Sequence, residues 1–182
     1  GAAAIVTKSL FEQQIQLERF KSDEDREKNN YRHPEMVDLY SHQKHGGPKE
    51  HLYWVRKTKE SVSIPVFASL NAVERETWVE YALLLEETGV DGLELNFYAS
   101  PKKADQEGAL YEEEQIAILE EIKQKVSIPV AVKLSYFYTN ILNFISKVDK
   151  TGVDGLVLFN RLFQPDIDVY NQKSDFPFNL SV

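Results

Sequence analysis

The feature that most constrains the fold is an internal repeat. Residues 62–66 (VSIPV) return at 126–130, an offset of 64 residues, and residues 88–93 (TGVDGL) return at 151–156, an offset of 63 residues. A strand–helix–strand unit takes about 30 residues, so one repeat accommodates two strand–helix pairs. The chain is therefore expected to be built from strand–helix pairs in series.

Five short apolar runs alternate with segments of helical periodicity. The runs, which predict strands, are residues 3–7, 64–70, 92–97, 128–134 and 155–160. Between them apolar residues recur every three or four positions, and Gly89 and Gly152 are placed to end two of the helices. Nearly continuous apolar strands alternating with helices predict an α/β fold with a parallel sheet. The fold is either an open doubly wound sheet or a (β/α)8 TIM barrel, and the repeated pair favours the barrel.

Residues 21–50 interrupt this pattern as a long polar excursion. Seven of the ten positions 21–30 are charged. The four histidines, His33, His42, His45 and His51, lie in or beside this segment. Their spacing matches no standard ligand pattern, so exposed loop histidines are favoured and no metal site is predicted.

Charge and composition exclude several classes of function. With 21 basic and 29 acidic residues the chain carries a net charge of −8, unlike a nucleic-acid binder. No apolar run approaches the roughly 20 residues of a membrane span. Without cysteine there is no disulfide, thiolate metal site or Cys nucleophile. With no signal-peptide pattern, we expect a cytoplasmic protein that acts on a small molecule, and a homodimer is left open.

Polar side chains follow every predicted strand. They are Lys8 and Ser9, Ser69 and Asn71, Glu94 and Asn96, Lys133 and Ser135, and Asn160 and Arg161. Ligands bind at the carboxyl ends of strands in α/β folds, so these side chains are expected to meet at one rim. Two ammonium groups buried there without partners would be costly, which predicts an anionic or strongly accepting ligand.

The residue types at this rim favour some classes of ligand and reaction over others. Lys and Asn donors suit a planar heterocycle with carbonyl oxygens and ring nitrogens better than they suit hydrolysis. The sequence contains no Gly-x-Ser-x-Gly elbow, Walker loop or Gly-x-Gly-x-x-Gly motif. Lys133 leaves a second interpretation open, an amine that forms a Schiff base as in aldolase-type barrels.

Five segments, in order, resemble the strands of dihydroorotate dehydrogenase and its flavin-dependent relatives. They are residues 7–10 (TKSL), 64–70 (IPVFASL), 94–96 (ELN), 130–135 (VAVKLS) and 158–160 (LFN). Residues 8–12 (KSLFE) and 159–168 (FNRLFQPDID) also resemble the bacterial dihydroorotate dehydrogenase-like proteins. The resemblance implies a (β/α)8 barrel of which residues 1–182 form a single partial domain. It further implies that about five consecutive strands are present and that the first strand and the last two strands of the barrel are absent.

The resemblance also implies FMN as cofactor and oxidation of a dihydropyrimidine-like substrate at a CH–CH group. Lys8, Ser9, Asn96, Lys133 and Asn160 would bind the flavin, and Asn71 and Asn96 would bind the substrate. Lys133 would stabilise negative charge on the reduced flavin and is the first catalytic candidate.

Two departures from the family pattern leave alternatives open. The family's base, a Cys or Ser three residues after the Asn of Glu-Leu-Asn, is Ala99 here, and Ser100 before Pro101 is the second catalytic candidate. The family's flavin-phosphate loops follow the last two strands, so we expect this chain to retain FMN poorly. The alternatives are a catalytically impaired flavin-binding relative and the lysine Schiff-base barrel.

Overall fold

A computed structural model describes residues 1–17, 47–98, 105, 107–160 and 166–175. Six strands form one parallel sheet: β1 (Ile5–Val6), β2 (Leu10–Phe11), β3 (Val66–Asn71), β4 (Gly92–Phe97), β5 (Val130–Leu134) and β6 (Gly155–Leu158). Both β1 and β2 pair with β3, so they are two pieces of one strand position. The sheet thus has five strand positions.

A helix follows each of the first four strand positions. The described part of α1 is residues 12–17. The others are α2 (Pro48–Ser61), α3 (Arg75–Glu86), α4 (Gly108–Lys125) and α5 (Ile141–Lys150). Within the described ranges, no helix combines the length and the apolar character needed to cross a membrane.

The strand order decides between the two predicted architectures. From β1 through β3, β4 and β5 to β6, neighbours in the sheet are neighbours along the chain, without the reversal that defines a doubly wound sheet. The result is a curled parallel sheet backed by helices, which confirms the predicted partial (β/α) TIM barrel. The open doubly wound alternative is wrong.

Several local features differ from the sequence prediction. The first strand is shorter than residues 3–7 and resumes as β2, and α1 was not expected. Residues 48–50, assigned to the polar excursion, belong to α2, which starts at Pro48, where a missing N–H is tolerated. An antiparallel hairpin of β7 (Asp166–Asp168) and β8 (Lys173–Asp175) was also not expected. Residues 21–46 of the excursion, with His33, His42 and His45, lie outside the described residues.

The hydrophobic core lies between the sheet and its helices. One face of β3, β4 and β5 supplies fully buried side chains: Val66, Ala68, Leu70, Leu93, Leu95, Phe97, Val130, Val132 and Leu134. Trp78 of α3 meets Phe97 edge to face, with ring centroids 5.0 Å apart. Because side chains alternate along a strand, the residues between these positions face the inside of the curled sheet.

The first copy of the repeat closes the amino ends of the strands through Asp91. Its Oδ2 accepts a hydrogen bond from Val66 N at 2.7 Å, and its N–H donates to Val66 O at 2.9 Å. The same carboxylate pairs with Lys59 Nζ of α2 at 2.6 Å. We call this arrangement of strand start, aspartate and lysine the Asp clamp, since it ties a helix end to the start of a strand.

The second copy repeats the Asp clamp. Asp154 accepts from Val130 N at 2.8 Å, donates its own N–H to Val130 O at 2.8 Å, and pairs with Lys123 Nζ at 2.6 Å. Gly89 and Gly152 precede the two aspartates with φ of +86° and +79°, a conformation that glycine adopts without strain. The sequence repeat therefore encodes the end of the barrel opposite to the polar strand ends.

Candidate functional site

The polar strand ends form two rows on the inner face of the sheet. In the lower row Ser69 of β3 lies opposite Glu94 of β4. In the upper row Asn96 of β4 lies opposite Lys133 of β5. The rows are two residues apart, so both face inward near the carboxyl ends of the strands.

A chain of hydrogen bonds crosses the lower row. Ser9 Oγ lies 2.6 Å from Ser69 Oγ, and Ser69 Oγ donates to Glu94 Oε1 at 3.0 Å. A hydroxyl has one proton to donate, and Ser69 gives its proton to the carboxylate, so Ser9 is the donor in the Ser9–Ser69 bond. This series of hydrogen bonds connects the segment between β1 and β2 to the middle of the sheet.

Glu94 also makes the ion pair of the site. Its Oε1 lies 3.6 Å from Lys133 Nζ, and the side chains are 8% and 27% exposed respectively. Lys8, the other lysine of the predicted rim, is exposed. Two buried ammonium groups in need of a ligand are therefore not found, because one lysine is exposed and the other has a carboxylate partner, and they no longer favour an anionic ligand.

Three asparagines interact across the upper row. Asn71 Nδ2 donates to Asn96 O at 2.7 Å, and Asn160 Nδ2 donates to Asn96 Oδ1 at 2.8 Å. Asn160 is held in turn by its backbone N–H, which donates to Leu134 O at 2.7 Å. Among the described residues nothing accepts from Asn96 Nδ2, so this amide group is free to donate a hydrogen bond.

The structure thus brings together five of the residues predicted from sequence: Ser9, Asn71, Asn96, Lys133 and Asn160. Ser135 instead accepts from Phe137 N at 3.3 Å within its own loop. The predicted catalytic residue Ser100 and the strand-end residue Arg161 lie outside the described residues.

Sequence reasoning noted Ser69 and Glu94 at strand ends but gave them no role. The available signal was their spacing, two residues before Asn71 and Asn96 respectively, which places each pair on one face.

His51 lies on α2 and is partly buried, so the prediction of an exposed loop histidine is wrong at this position. Burial lowers the pKa of the ring, and the nearby charge of Lys8 lowers it further. Its Nε2 atom is buried and has no hydrogen-bond partner in the part of the chain that the structure describes. Within the described ranges no group of three or more His, Asp or Glu side chains is arranged to hold a metal ion.

Two contacts fix the loops around the carboxyl rim. Buried Glu12 accepts hydrogen bonds from Val73 N and Glu74 N, the latter at 3.0 Å, and holds the β3–α3 connection. Tyr138, in the β5–α5 loop, stacks on Phe144 and donates its hydroxyl to Gln115 Oε1 at 3.1 Å. Burial raises the pKa of Tyr138, so the phenol remains a donor at neutral pH.

Curated relatives at about 30% identity share one name. The chain is 33% identical over 132 residues to "Putative dihydroorotate dehydrogenase A (fumarate)" of Aeropyrum pernix, covering 70% of the chain and 42% of that protein. It is 32% identical over 113 residues to the dihydroorotate dehydrogenase B (NAD(+)) catalytic subunit of Thermoplasma volcanium, covering 59% and 36%. It is 29% identical over 127 residues to the corresponding subunit of Geobacillus sp. WCH70, covering 69% of the chain and 39% of that protein.

These matches confirm the predicted resemblance to the dihydroorotate dehydrogenase family. They span between 36% and 42% of the length of these three relatives. No family model matches the chain. A crystal structure of a dihydrodipicolinate synthase gives a TM-score of 0.45 at 12% identity, covering 87% of this chain and 59% of that one, a likeness too weak to carry an argument.

Proposed function

We propose that this dihydroorotate dehydrogenase-like chain is part of an oxidoreductase that binds FMN at the carboxyl rim of its barrel and oxidises a dihydropyrimidine-like substrate. The observation that carries the proposal is the inner-face group of Lys133, Asn71, Asn96 and Asn160. The names of the relatives support the same class of reaction.

The residues at the rim fit a flavin ring. An isoalloxazine edge offers carbonyl oxygens and ring nitrogens. The upper row presents amide groups, and the Lys133 ammonium group lies on the same inner face beside Glu94 of the lower row. FMN, when bound, supplies the acceptor for the two electrons of the oxidation. Lys133 would stabilise negative charge that develops on the ring, Asn96 would donate from Nδ2, and Ser9 would orient the adjoining edge.

Removal of a proton from the substrate is assigned to Ser100. Ala99 stands where the family has its base, and a methyl group cannot accept a proton. The hydroxyl of Ser100 supplies the base if the loop after β4 places it toward the substrate. Without that placement the chain has no base and is the catalytically impaired flavin-binding relative. The second candidate function is this impaired relative, and it is favoured by Ala99 at the position of the family's base.

The ion pair of Lys133 bears on the Schiff-base alternative. An amine that attacks a carbonyl needs a free lone pair, whereas Lys133 lies beside a carboxylate, which matches an electrostatic role better. Borohydride trapping with a carbonyl substrate tests the alternative directly, and a modified Lys133 in the mass spectrum would support it.

Flavin binding is the first test. We expect the chain to quench the fluorescence of lumiflavin, the uncharged ring of FMN, and expect Lys133→Met to weaken this binding roughly tenfold, the loss of one charge-assisted hydrogen bond. Lys147→Met, an exposed lysine on α5, is the matched control and should bind as the parent does. Equal affinities of the two variants, or no quenching by any of the three proteins, would contradict the proposal.

Substrate chemistry is the second test. Under anaerobic conditions dihydroorotate should bleach the visible absorbance of the flavin-loaded chain, and Ser100→Ala should abolish the bleaching because it removes the assigned base. Bleaching by dithionite but not by dihydroorotate in the parent chain would instead support the impaired relative. The cytoplasmic location and the homodimer remain predictions.

A further inference from the structure

Glu94 is a buried carboxylate to which the proposed reaction gives no role. Only 6% of the residue is exposed, although it lies on the inner face of the sheet rather than in the apolar core. Burying a carboxylate is costly unless it is both paired and hydrogen-bonded. Glu94 meets both conditions, through Lys133 and Ser69.

The register shows how far Lys133 bends to reach its partner. Lys133 stands opposite Asn96 in the upper row, yet its Nζ pairs with Glu94 in the lower row. The residue opposite Glu94 on β5 is Ala131, and the residue opposite Ala131 on β6 is Gly155, so these two strands place no long side chain beside Glu94 in the lower row. The Lys133 ammonium group therefore lies below the rim.

The carboxylate is itself oriented from the other side. Ser69 donates to Glu94 Oε1, which is also the oxygen nearest Lys133, and Ser9 donates to Ser69. Serial donors of this kind hold an acceptor in one orientation, because rotation of the carboxylate would break both the hydrogen bond and the ion pair. Four side chains from four parts of the sheet are coupled in this way.

We propose that Glu94 is a positioning residue that serves as the counter-ion of Lys133 and, with Ser69 and Ser9, fixes the ammonium at the floor of the site. Its significance for flavin rests on the proposed function above. Because the Glu94–Lys133 pair has no net charge, the site takes an uncharged ring that forms hydrogen bonds in preference to a free anion. Glu94→Gln would expose an uncompensated ammonium and shift this preference toward anions.

The first experiment needs no ligand. The chain is treated with a limiting amount of acetic anhydride, and acetylation of each lysine is followed by peptide mass spectrometry. In Glu94→Gln, Lys133 should be acetylated roughly fivefold faster than in the parent, because the ion pair that occupies its ammonium is gone. Lys59 and Lys123, held in the two Asp clamps, are internal standards and should react at parental rates.

A matched control separates the effect of removing the Glu94 charge from a general loss of structure around Lys133. Glu86 Oε1 also accepts hydrogen bonds from a serine, from Ser127 N at 2.8 Å and Oγ at 2.6 Å, but at the surface. Glu86→Gln should leave acetylation of Lys133 unchanged. Ser69→Ala keeps the Glu94 charge but removes its donor, so it should give a smaller increase than Glu94→Gln.

The variants are first checked for a parental circular-dichroism spectrum, and Ser69→Ala carries the test if Glu94→Gln does not fold. Parental acetylation of Lys133 in the folded variant would overturn the proposal, and so would an equal increase at Lys59 and Lys123.

The second experiment measures binding of lumiflavin and of orotate, a pyrimidine carboxylate, to the same proteins. The ratio of their affinities should shift toward orotate roughly tenfold in Glu94→Gln and not in Glu86→Gln. An unchanged ratio overturns the assigned ligand preference. Faster acetylation of Lys133 with no lumiflavin binding by any variant would support the positioning role and contradict the flavin proposal, so the two failures are distinguishable.

Discussion

At the scale of the residue, Gly92 and Gly155 test how tightly the inner face is packed. A Cβ added at Gly92 would lie 2.5 Å from the Phe67 ring and 3.1 Å from Pro129 O, whereas at Gly155 the nearest atom is Ala131 Cβ at 3.6 Å. We expect Gly92→Ala to lower the free energy of unfolding by about 1–3 kcal/mol, the usual cost of overpacking. Urea unfolding measures the change.

Gly155→Ala is the matched control, because the two glycines begin corresponding strands of the repeat. Its methyl group fits at ordinary contact distance, and replacing glycine also restricts the unfolded chain, so its unfolding midpoint should be unchanged or slightly higher. A loss of stability in Gly155→Ala equal to that in Gly92→Ala would contradict this account of the packing.

The members of the candidate site could be predicted from sequence one by one, but their partners could not. Asn96 and Lys133 are recognisable as strand-end residues because each stands in a short apolar run. That Lys133 pairs with Glu94 rather than with a ligand depends on strand register and on the small side chain of Ala131, which a single sequence does not reveal. The inference of an anionic ligand from two buried ammonium groups failed for this reason.

At the scale of the element, the Asp clamps make stability depend on acid pH. The pKa of Asp91 is lowered first by its hydrogen bond from Lys59 and then by the Val66 N–H, and the pKa of Asp154 is lowered in the same way by Lys123 and Val130. An aspartate whose pKa is lower in the folded chain than its unfolded value of about 3.9 stabilises the fold at pH values above 3.9. This stabilisation is lost as the pH falls through the pKa of the folded state.

Asp91→Asn and Asp154→Asn should therefore unfold at lower urea concentration than the parent at pH 7. The difference should vanish at a pH below the folded pKa values, where the parental carboxylates are protonated as well. Asp149→Asn, an exposed aspartate at the end of α5, should keep the parental midpoint at both pH values. A parent–variant difference that is the same at both pH values would contradict the linkage.

Strands with a complete apolar run were predictable from the sequence, whereas strands of two or three residues were not. Residues 92–97 are buried along their whole length, so the apolar run matches β4. Two-residue strands such as β1 and β2 carry no periodicity, and their place is set by pairing with β3. The β7–β8 hairpin has a turn held by Asp168, which accepts from Tyr170 N and Asn171 N, a local contact rather than an apolar pattern.

At the scale of the whole molecule, the five strand positions carry the residues proposed to bind the flavin ring, whereas the family resemblance assigns the flavin phosphate to loops after the last two strands of the barrel. We expect the 182-residue chain to bind FMN and lumiflavin with affinities within about threefold of each other, since a phosphate without ion-pair partners adds little affinity. Parallel fluorescence titrations measure both. FMN binding tenfold tighter than lumiflavin would show that a phosphate site exists within this chain.

The strands held by the two Asp clamps have one end that is nearly constant and one end that varies. One end, with its aspartate, lysine and glycine, recurs nearly unchanged in both copies, while the other end carries serine and asparagine on β3 but lysine on β5. In each copy the clamp joins a helix end, the strand that follows this helix, and the turn before the next strand. These contacts are the same in both copies although the carboxyl-end residues differ, so the two ends of a strand vary independently in sequence.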